Sequence, residues 1–432
     1  MQFLGSKLRS VQAIQDAAAS LSPAGVVFEP FAGSSVVSQA LAARGHTVWA
    51  IDALKSSALF AKTMLGEGRA GGCTELSSLA QALVESLPAT RPAMWDGWLD
   101  TEDHALRVRD GSALLAMHAR LPQIWRDLPI EPPLQQLFEA VACDSQARRV
   151  RADGLLSSTY AGTYFSLRQA LDLEALRGII EKQKSRIDLW SYSALLTALC
   201  SAASTAVYSP GKHFAQPHRV REGKDLAFHA RRALQDRTVD ISSAFILAAT
   251  KIEIHAAESS GRHMTEHRTV ETVNSADLAN RGVSLVYADP PYTAQQYSRF
   301  YHLLETIVEG VPPTLQKVGG KVTRGLYPQG RYLSPFSSRL QSPGAFKNLF
   351  AISQKAEASV LLSYSSARSQ VSGNARMVEL DDIVEWLSSE YGSRNVSVVP
   401  FGFQYKQFNS RINEVSGRDE PEYLIIGRHH AG

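Results

Sequence analysis

The chain has 432 residues, more than one hydrophobic core usually organises, so a catalytic domain carrying one large insertion or a second domain is the natural expectation. Hydrophobic residues at 44% and charged residues at 20% exclude extensive disorder, and a net charge of only +3 excludes a dedicated nucleic-acid coat, so any basic surface must be local. Cys73, Cys143 and Cys200 stand far apart with no CxxC pair or His cluster, which argues against a zinc site and a disulfide framework and fits a reducing cytoplasm. No apolar signal core follows Met1 to Ser10, and no segment has the length and apolarity of a membrane span, so no membrane association is expected.

In chain order, a helix is expected around Leu8 to Leu21. Gly25 to Glu29 reads as a buried strand that runs into Pro30-Phe31-Ala32-Gly33-Ser34-Ser35, followed by a helix from Val36 to Ala43. Gly45-His46 turns into a second strand, Thr47 to Ile51, closed by Asp52, which makes a β-loop-α-β unit with an acid at its end. From about Ala53 to Ala203 apolar residues recur mostly at helical spacing, as in Leu128 to Val141 and Leu173 to Ile187. Thr205 to Arg237 is a polar connector with several cations, among them Lys212, Arg219, Arg221 and Arg232. Strands are expected again at Arg268 to Val273, Val283 to Ala288, Ser359 to Tyr364, Val396 to Phe401 and Tyr423 to Ile426, with helices at Ser298 to Val308 and Leu380 to Glu390. The alternation predicts an α/β fold in which residues 1–65 and 240–432 close into one sheet, interrupted by a mostly helical insertion over residues 66–239.

The residues with chemistry lie where apolar runs end. Ser284 to Ala288 stops abruptly in Asp289-Pro290-Pro291-Tyr292, which is how a parallel strand delivers polar groups to its carboxyl edge. An aromatic amine is a poor nucleophile because its lone pair is delocalised into the ring, so its alkylation benefits from acceptors that hold both amino hydrogens. Asp289 supplies one acceptor and the Pro290 carbonyl a second; Pro290 and Pro291 stiffen the turn, and Tyr292 can stack on a base. Gly33 lets a ligand approach the backbone ahead of a helix N-terminus, and Asp52 is expected to accept ribose hydroxyls, with a surface turn acid as the other reading.

The tetrapeptide resembles the hallmark of amino-directed nucleic-acid methyltransferases. Glu29-Pro30-Phe31-Ala32-Gly33-Ser34 is similar to the first cofactor motif of these enzymes, which usually has Asp where Glu29 stands and a second Gly where Ser35 stands. Phe3-Leu4-Gly5-Ser6-Lys7-Leu8 resembles the motif that opens the alpha group of DNA adenine methyltransferases, and the order of the three motifs around a long insertion matches that arrangement, of Dam-like or restriction-modification type. The resemblance implies a Rossmann-like, S-adenosylmethionine-dependent methyltransferase that methylates the N6 amino group of adenine in duplex DNA, with the base flipped out and no metal. It implies Phe3, Lys7, Glu29, Phe31, Gly33, Asp52 and Asp277 at the cofactor, with Lys7 on its carboxylate and Asp277 on its adenine, although Asp277 reads equally well as a helix cap. It further implies a bacterial or phage-type enzyme of the cytoplasm, with a cognate restriction or defence system as partner. The same acceptors would serve the amino group of cytosine, or adenine in RNA. A non-catalytic DNA-binding protein that kept the fold is the reading from another class.

Between Gly310 and Ala356 there is no acidic residue, and Lys317, Lys321, Arg324 and Arg331 stand among Gly, Pro and aromatic residues, as expected of a loop that contacts phosphates. Tyr164, in the stretch Tyr160-Ala161-Gly162-Thr163-Tyr164-Phe165, is the expected target contact within the insertion, with buried packing as the other reading.

Overall fold

The computed structural model describes residues 7–69, 75–87, 91–218, 225–256, 262–366, 375–405 and 420–429. A 3-10 turn at Lys7–Arg9 precedes α1 (Val11–Leu21), β1 (Val26–Glu29), α2 (Val36–Ala43), β2 (Thr47–Asp52) and α3 (Lys55–Met64). A run of helices follows: α4 (Leu76–Glu85), α5 (Asp96–Arg107), α6 (Gly111–Arg120), α7 (Pro132–Ala147), α8 (Leu167–Gln183), α9 (Leu189–Ala206), α10 (Leu226–Arg237) and α11 (Ile241–His255). The chain continues through β3 (Met264–His267), α12 (Ser275–Asn280), β4 (Val283–Ala288), α13 (Tyr297–Glu309) and the short hairpin β5 (Lys317–Val318) and β6 (Lys321–Val322). It ends with α14 (Ser342–Lys355), β7 (Ser359–Ser365), α15 (Leu380–Tyr391), β8 (Val396–Tyr405) and β9 (Glu420–Gly427).

Among the described residues seven strands form one sheet in the order β3-β2-β1-β4-β7-β9-β8. β1, β2, β3, β4 and β7 are parallel, and β9 runs antiparallel to both β7 and β8. Strands covered on both faces read as continuous apolar runs, because successive side chains enter opposite layers. Phe28, Val286, Val360 and Leu362 face one layer with Phe346 and Phe350 of α14 and Ile383 and Leu387 of α15. Val27, Leu285, Tyr287 and Leu361 face the other, with Ile14 and Ala18 of α1 and Val37 and Leu41 of α2. The result is the expected Rossmann-like α/β sheet.

The chain divides into two compact units, one holding residues 69–255 and 299–331, the other the residues up to 68 together with 256–298 and those from 332 onward. The sheet belongs to the second. The first therefore includes α11 and the 299–331 stretch, beyond the span 66–239 expected for the insertion. In this helical unit α8, α9 and α11 pack on one another, and the ends are fixed by buried polar groups. Ser166 and Gln169 form a capping box on α8, and the buried Glu102 accepts from the free amides of Leu167 (2.7 Å) and Arg168 (3.0 Å) at the same helix start.

Two local expectations are corrected. Arg268 to Val273 is not a strand; the edge strand is Met264–His267, and Val270–Thr272 is a 3-10 turn. Residues 342–355 are not loop but helix α14, whose Pro343 sits in the first turn, where a missing amide costs nothing, and whose Phe346, Leu349, Phe350 and Ser353 make a buried face at helical spacing.

Candidate active site

Parallel strands end at one edge of the sheet, and the polar residues that close them meet there. Glu29 ends β1, Asp52 ends β2 and Asp289 follows β4. β9 runs the other way, so Glu422 near its start faces Ser365 at the end of β7 and reaches the same edge. Glu29, Asp52 and Asp289 border a cleft of about 950 Å³, open to solvent, lined also by Lys7, Phe31, Gly33, Pro291 and Tyr332.

The β1–α2 loop owes its shape to Asp52. One Asp52 oxygen accepts from the Gly33 amide (2.9 Å), the other from the Leu54 amide (2.8 Å), and the Ala32 amide binds the Ile51 carbonyl (3.1 Å). Gly33 has φ +49°, a region glycine enters at no steric cost. Ser35, where the family pattern has glycine, also takes a left-handed conformation (φ 59°), so this loop keeps a glycine-like turn with a serine. Ser35 Oγ is buried and has no hydrogen-bond partner among the described residues.

Charge is concentrated around Lys7. Its ammonium, only 5% exposed, lies 3.0 Å from Asp289 and also binds Glu422. Burial opposes the charged form of Lys7, but Asp289, Tyr292 and Glu422 raise its pKa well above the usual lysine range. Burial lifts Asp289 to about 6 against the pull of Lys7. Glu29, buried and accepting from Ser38, rises to about 8 through burial and the neighbouring charges of Asp289 and Asp52. At neutral pH Asp289 is thus an ionised acceptor and Glu29 a neutral acid.

The remaining expected residues fall as follows. Pro290 is buried, and of the two prolines of the tetrapeptide Pro291 lines the cleft. Tyr292 is half-buried, edge-on to Tyr364 at 5.7 Å, with the Arg376 guanidinium 4.7 Å from its ring centre. Phe31 meets Phe336 edge-on at 5.1 Å. Phe3 lies outside the described residues. Asp277 is not brought to the cleft lining: it forms a capping box with Asn274 on α12 and pairs with Arg268 at 2.7 Å. In the helical unit Lys317, Lys321 and Arg324 are exposed around the β5–β6 hairpin, while Arg331 is partly buried with its guanidinium 5.1 Å from the Tyr327 ring. The expectation that Tyr164 contacts target is corrected: it is fully buried and donates to the carbonyls of Phe214 (2.6 Å) and Gly325 (3.0 Å), so its hydroxyl is spent inside the core. Glu422 went unread in the sequence; its one signal is an acid two residues ahead of Leu424-Ile425-Ile426.

A mostly parallel sheet with acids and a glycine turn at its carboxyl edge defines a Rossmann-like α/β protein with its ligand cleft at that edge. Residues 130–318, which include the Asp289 tetrapeptide, match the family model of D12 class N6 adenine-specific DNA methyltransferases. The chain is similar to the modification methylase LlaI of Lactococcus lactis subsp. lactis, 28% identical over 61% of this chain and 36% of that protein. It is also similar to the type II methyltransferase M.CviAII of Paramecium bursaria Chlorella virus 1, 24% identical over 69% of this chain and 77% of that one. The chain thus spans about a third of the length of the first relative and about three quarters of the second. Together these likenesses support an adenine methyltransferase of the restriction-modification type.

Proposed function

We propose that the chain transfers a methyl group from S-adenosylmethionine to the N6 amino group of adenine at a specific site in DNA. The observation that carries this reading is the convergence of Lys7, Asp289 and the Gly33–Asp52 loop, far apart in sequence, on one cleft at the sheet edge.

The cleft residues fit the donor. Phe31, Leu54 and Val270 offer apolar walls for a nucleoside, and a side chain built on Gly33 would meet nothing nearer than the Phe31 carbonyl at 3.9 Å, so that side of the loop is open. Val36 and Val37 at the start of α2 line the cleft as well, so a helix N-terminus borders it. Lys7 would take the donor's carboxylate and Asp52 its ribose hydroxyls. When bound, S-adenosylmethionine supplies an electrophilic methyl on a sulfonium. The chain's own part is to hold the amine: Asp289 and the Pro290 carbonyl accept its two hydrogens, which favours a pyramidal nitrogen with its lone pair free. Tyr292, held by Arg376, stacks on the base, drawn out of the duplex by flipping. The Asp289 carboxylate, which already accepts one of the amino hydrogens, would take the proton that leaves the nitrogen.

We further assign the sheet-bearing unit to catalysis and the helical unit to target recognition, so that α11 and residues 299–331, expected with the catalytic residues 240–432, count instead with the insertion 66–239. Lys317, Lys321 and Arg324 supply the phosphate contacts. The cytoplasm is the compartment, and a cognate restriction enzyme or defence system is the partner. Among the described residues no helix is long and apolar enough to cross a membrane. Incubation of the protein with DNA and labelled donor, followed by digestion and mass spectrometry of the nucleosides, should yield N6-methyladenine; label on cytosine or none at all would reject the assignment.

A further inference from the structure

Before any donor is bound, Lys7 has two carboxylates of its own chain to serve. Its ammonium sits between Asp289 (3.0 Å), which the reading above makes the acceptor, and Glu422, which that reading leaves without a task. Glu422 is 2% exposed and comes from the antiparallel strand β9. An acid so buried costs several kcal/mol to desolvate unless it is matched, and removing it would leave Lys7 to Asp289 alone.

We infer that Glu422 is a positioning residue for Asp289: by taking a share of the Lys7 ammonium it keeps Lys7 from closing fully on Asp289 and leaves that carboxylate a stronger acceptor for the amino group. An ammonium committed to a single carboxylate withdraws charge from it and weakens its hydrogen bonds to anything else. An ammonium shared by two leaves one net negative charge over the pair. Among the described residues, the other titratable or charged groups around this cluster include Glu29 of β1, Tyr287 of β4, Tyr292 of the catalytic turn, and Arg376, which lies against Tyr292 and binds Ser365 opposite Glu422. Glu29, with its pKa near 8, stays uncharged at neutral pH, and burial raises the Tyr287 phenol well above its ordinary range, so Glu422 is the second acid that shares the Lys7 charge with Asp289. Burial and Glu422 both push Asp289 upward, and Lys7 opposes them.

The inference rests on Asp289 as the acceptor, and its test does not need methyl transfer. Protein labelled with 13C at the aspartate carboxyls, without DNA or donor, is titrated by NMR, with Asp289→Asn assigning the signal. Glu422→Gln should lower the Asp289 midpoint by about one pH unit, and Lys7→Met should raise it by about as much. A midpoint unmoved or raised in Glu422→Gln overturns the inference; so does a mere loss of stability with the midpoint in place. If Glu422→Gln does not unfold cooperatively, Glu422→Asp, which keeps the charge but draws it back from Lys7, replaces it. Its midpoint should lie below wild type by a fraction of the same shift, and a midpoint at or above wild type overturns the inference. In single turnovers the acid limb of the rate against pH should follow the NMR midpoint in Glu422→Gln. Should Asp289→Ala still methylate adenine, the functional reading fails while the titration result stands on its own.

Discussion

Both units bury charged groups, yet they use them differently. In the helical unit the buried carboxylates are spent on the fold: Glu102 takes two amides of the α8 start and the ring Nε2 of His118 (2.6 Å), and Glu174 takes the amides of Gly154, Leu156 and Ser157 and the Ser157 hydroxyl. At the sheet edge Glu29 and Asp289 border an open cleft and have fewer donors. Burial of an acid therefore does not mark a site by itself. What marks it is a carboxyl group held out of bulk water whose hydrogen-bonding capacity faces a cavity.

The largest expected effect separates the two uses at once. Asp289→Ala should lower single-turnover methyl transfer on the order of a hundred- to a thousandfold. Donor affinity measured by calorimetry should change little. A variant that still turns over near the wild-type rate would mean that the cleft acid is as structural as those of the helical unit.

Glu102→Ala should do the reverse. Burial alone would raise the Glu102 pKa, but His118 and the amides of Arg168 and Leu167 outweigh it and bring it to about 2. His118 is held near 4 by burial and by Arg237, so at neutral pH it is an uncharged donor. Removing the acceptor strands these donors and should cost about 3–5 kcal/mol in urea unfolding. Because the folded pKa lies below that of the unfolded acid, this stability is fully present above pH 4.5 and is lost as pH falls toward 2. Transfer per folded molecule should be preserved.

A smaller effect tests the exposed cations. Replacing Lys317, Lys321 and Arg324 by Ala should weaken binding to DNA of any sequence and flatten the dependence of log affinity on log salt by about one unit for each phosphate no longer neutralised. An unchanged slope would return the hairpin to the status of a solvated turn.

Much of the sheet edge was readable because polar residues interrupt apolar runs: Asp52 and Asp289 each close a strand that the sequence delimits almost to the residue, and Gly33 announces the turn before α2. Glu422 escaped because strand direction is not written in the sequence. An acid is expected at a strand's end, and only the antiparallel course of β9 brings its beginning to the same edge. Tyr164 misled for a different reason. A stretch of aromatics around Gly162 has the composition of a contact loop, but a side chain on Gly162 (φ +72°) would come within 2.7 Å of the His118 carbonyl, so the glycine serves close packing. Helix α14 was hidden by Pro343-Gly344, which read as loop punctuation although a proline is tolerated in a helix's first turn. Asp277 had two readings from the start, and its bonds in the structure are those of the cap.

The finest separation comes from replacing one buried acid in each unit by its amide. Glu29 should titrate near 8, raised first by burial, and Glu174 near 7 for the same principal reason. In both cases the folded state holds its proton to higher pH than the unfolded chain, so stability falls as pH rises from about 4.5 through the folded value. The amides remove that slope, yet their hydrogen bonding differs. Gln in place of Glu29 can still accept from Ser38 and presents its amine where the neutral acid had its proton, so Glu29→Gln should match wild type in melting temperature near pH 5 and exceed it above pH 8. Glu174 receives donors on both oxygens, from Gly154 and the Ser157 hydroxyl on one and from Leu156 and Ser157 amides on the other. An amide nitrogen there must face backbone N–H groups, so Glu174→Gln should melt below wild type at pH 5, where the native acid is already protonated and its hydroxyl can turn away from them. Equal behaviour of the two variants across pH would show that the cleft acid is as fully committed as the one that ties the helices.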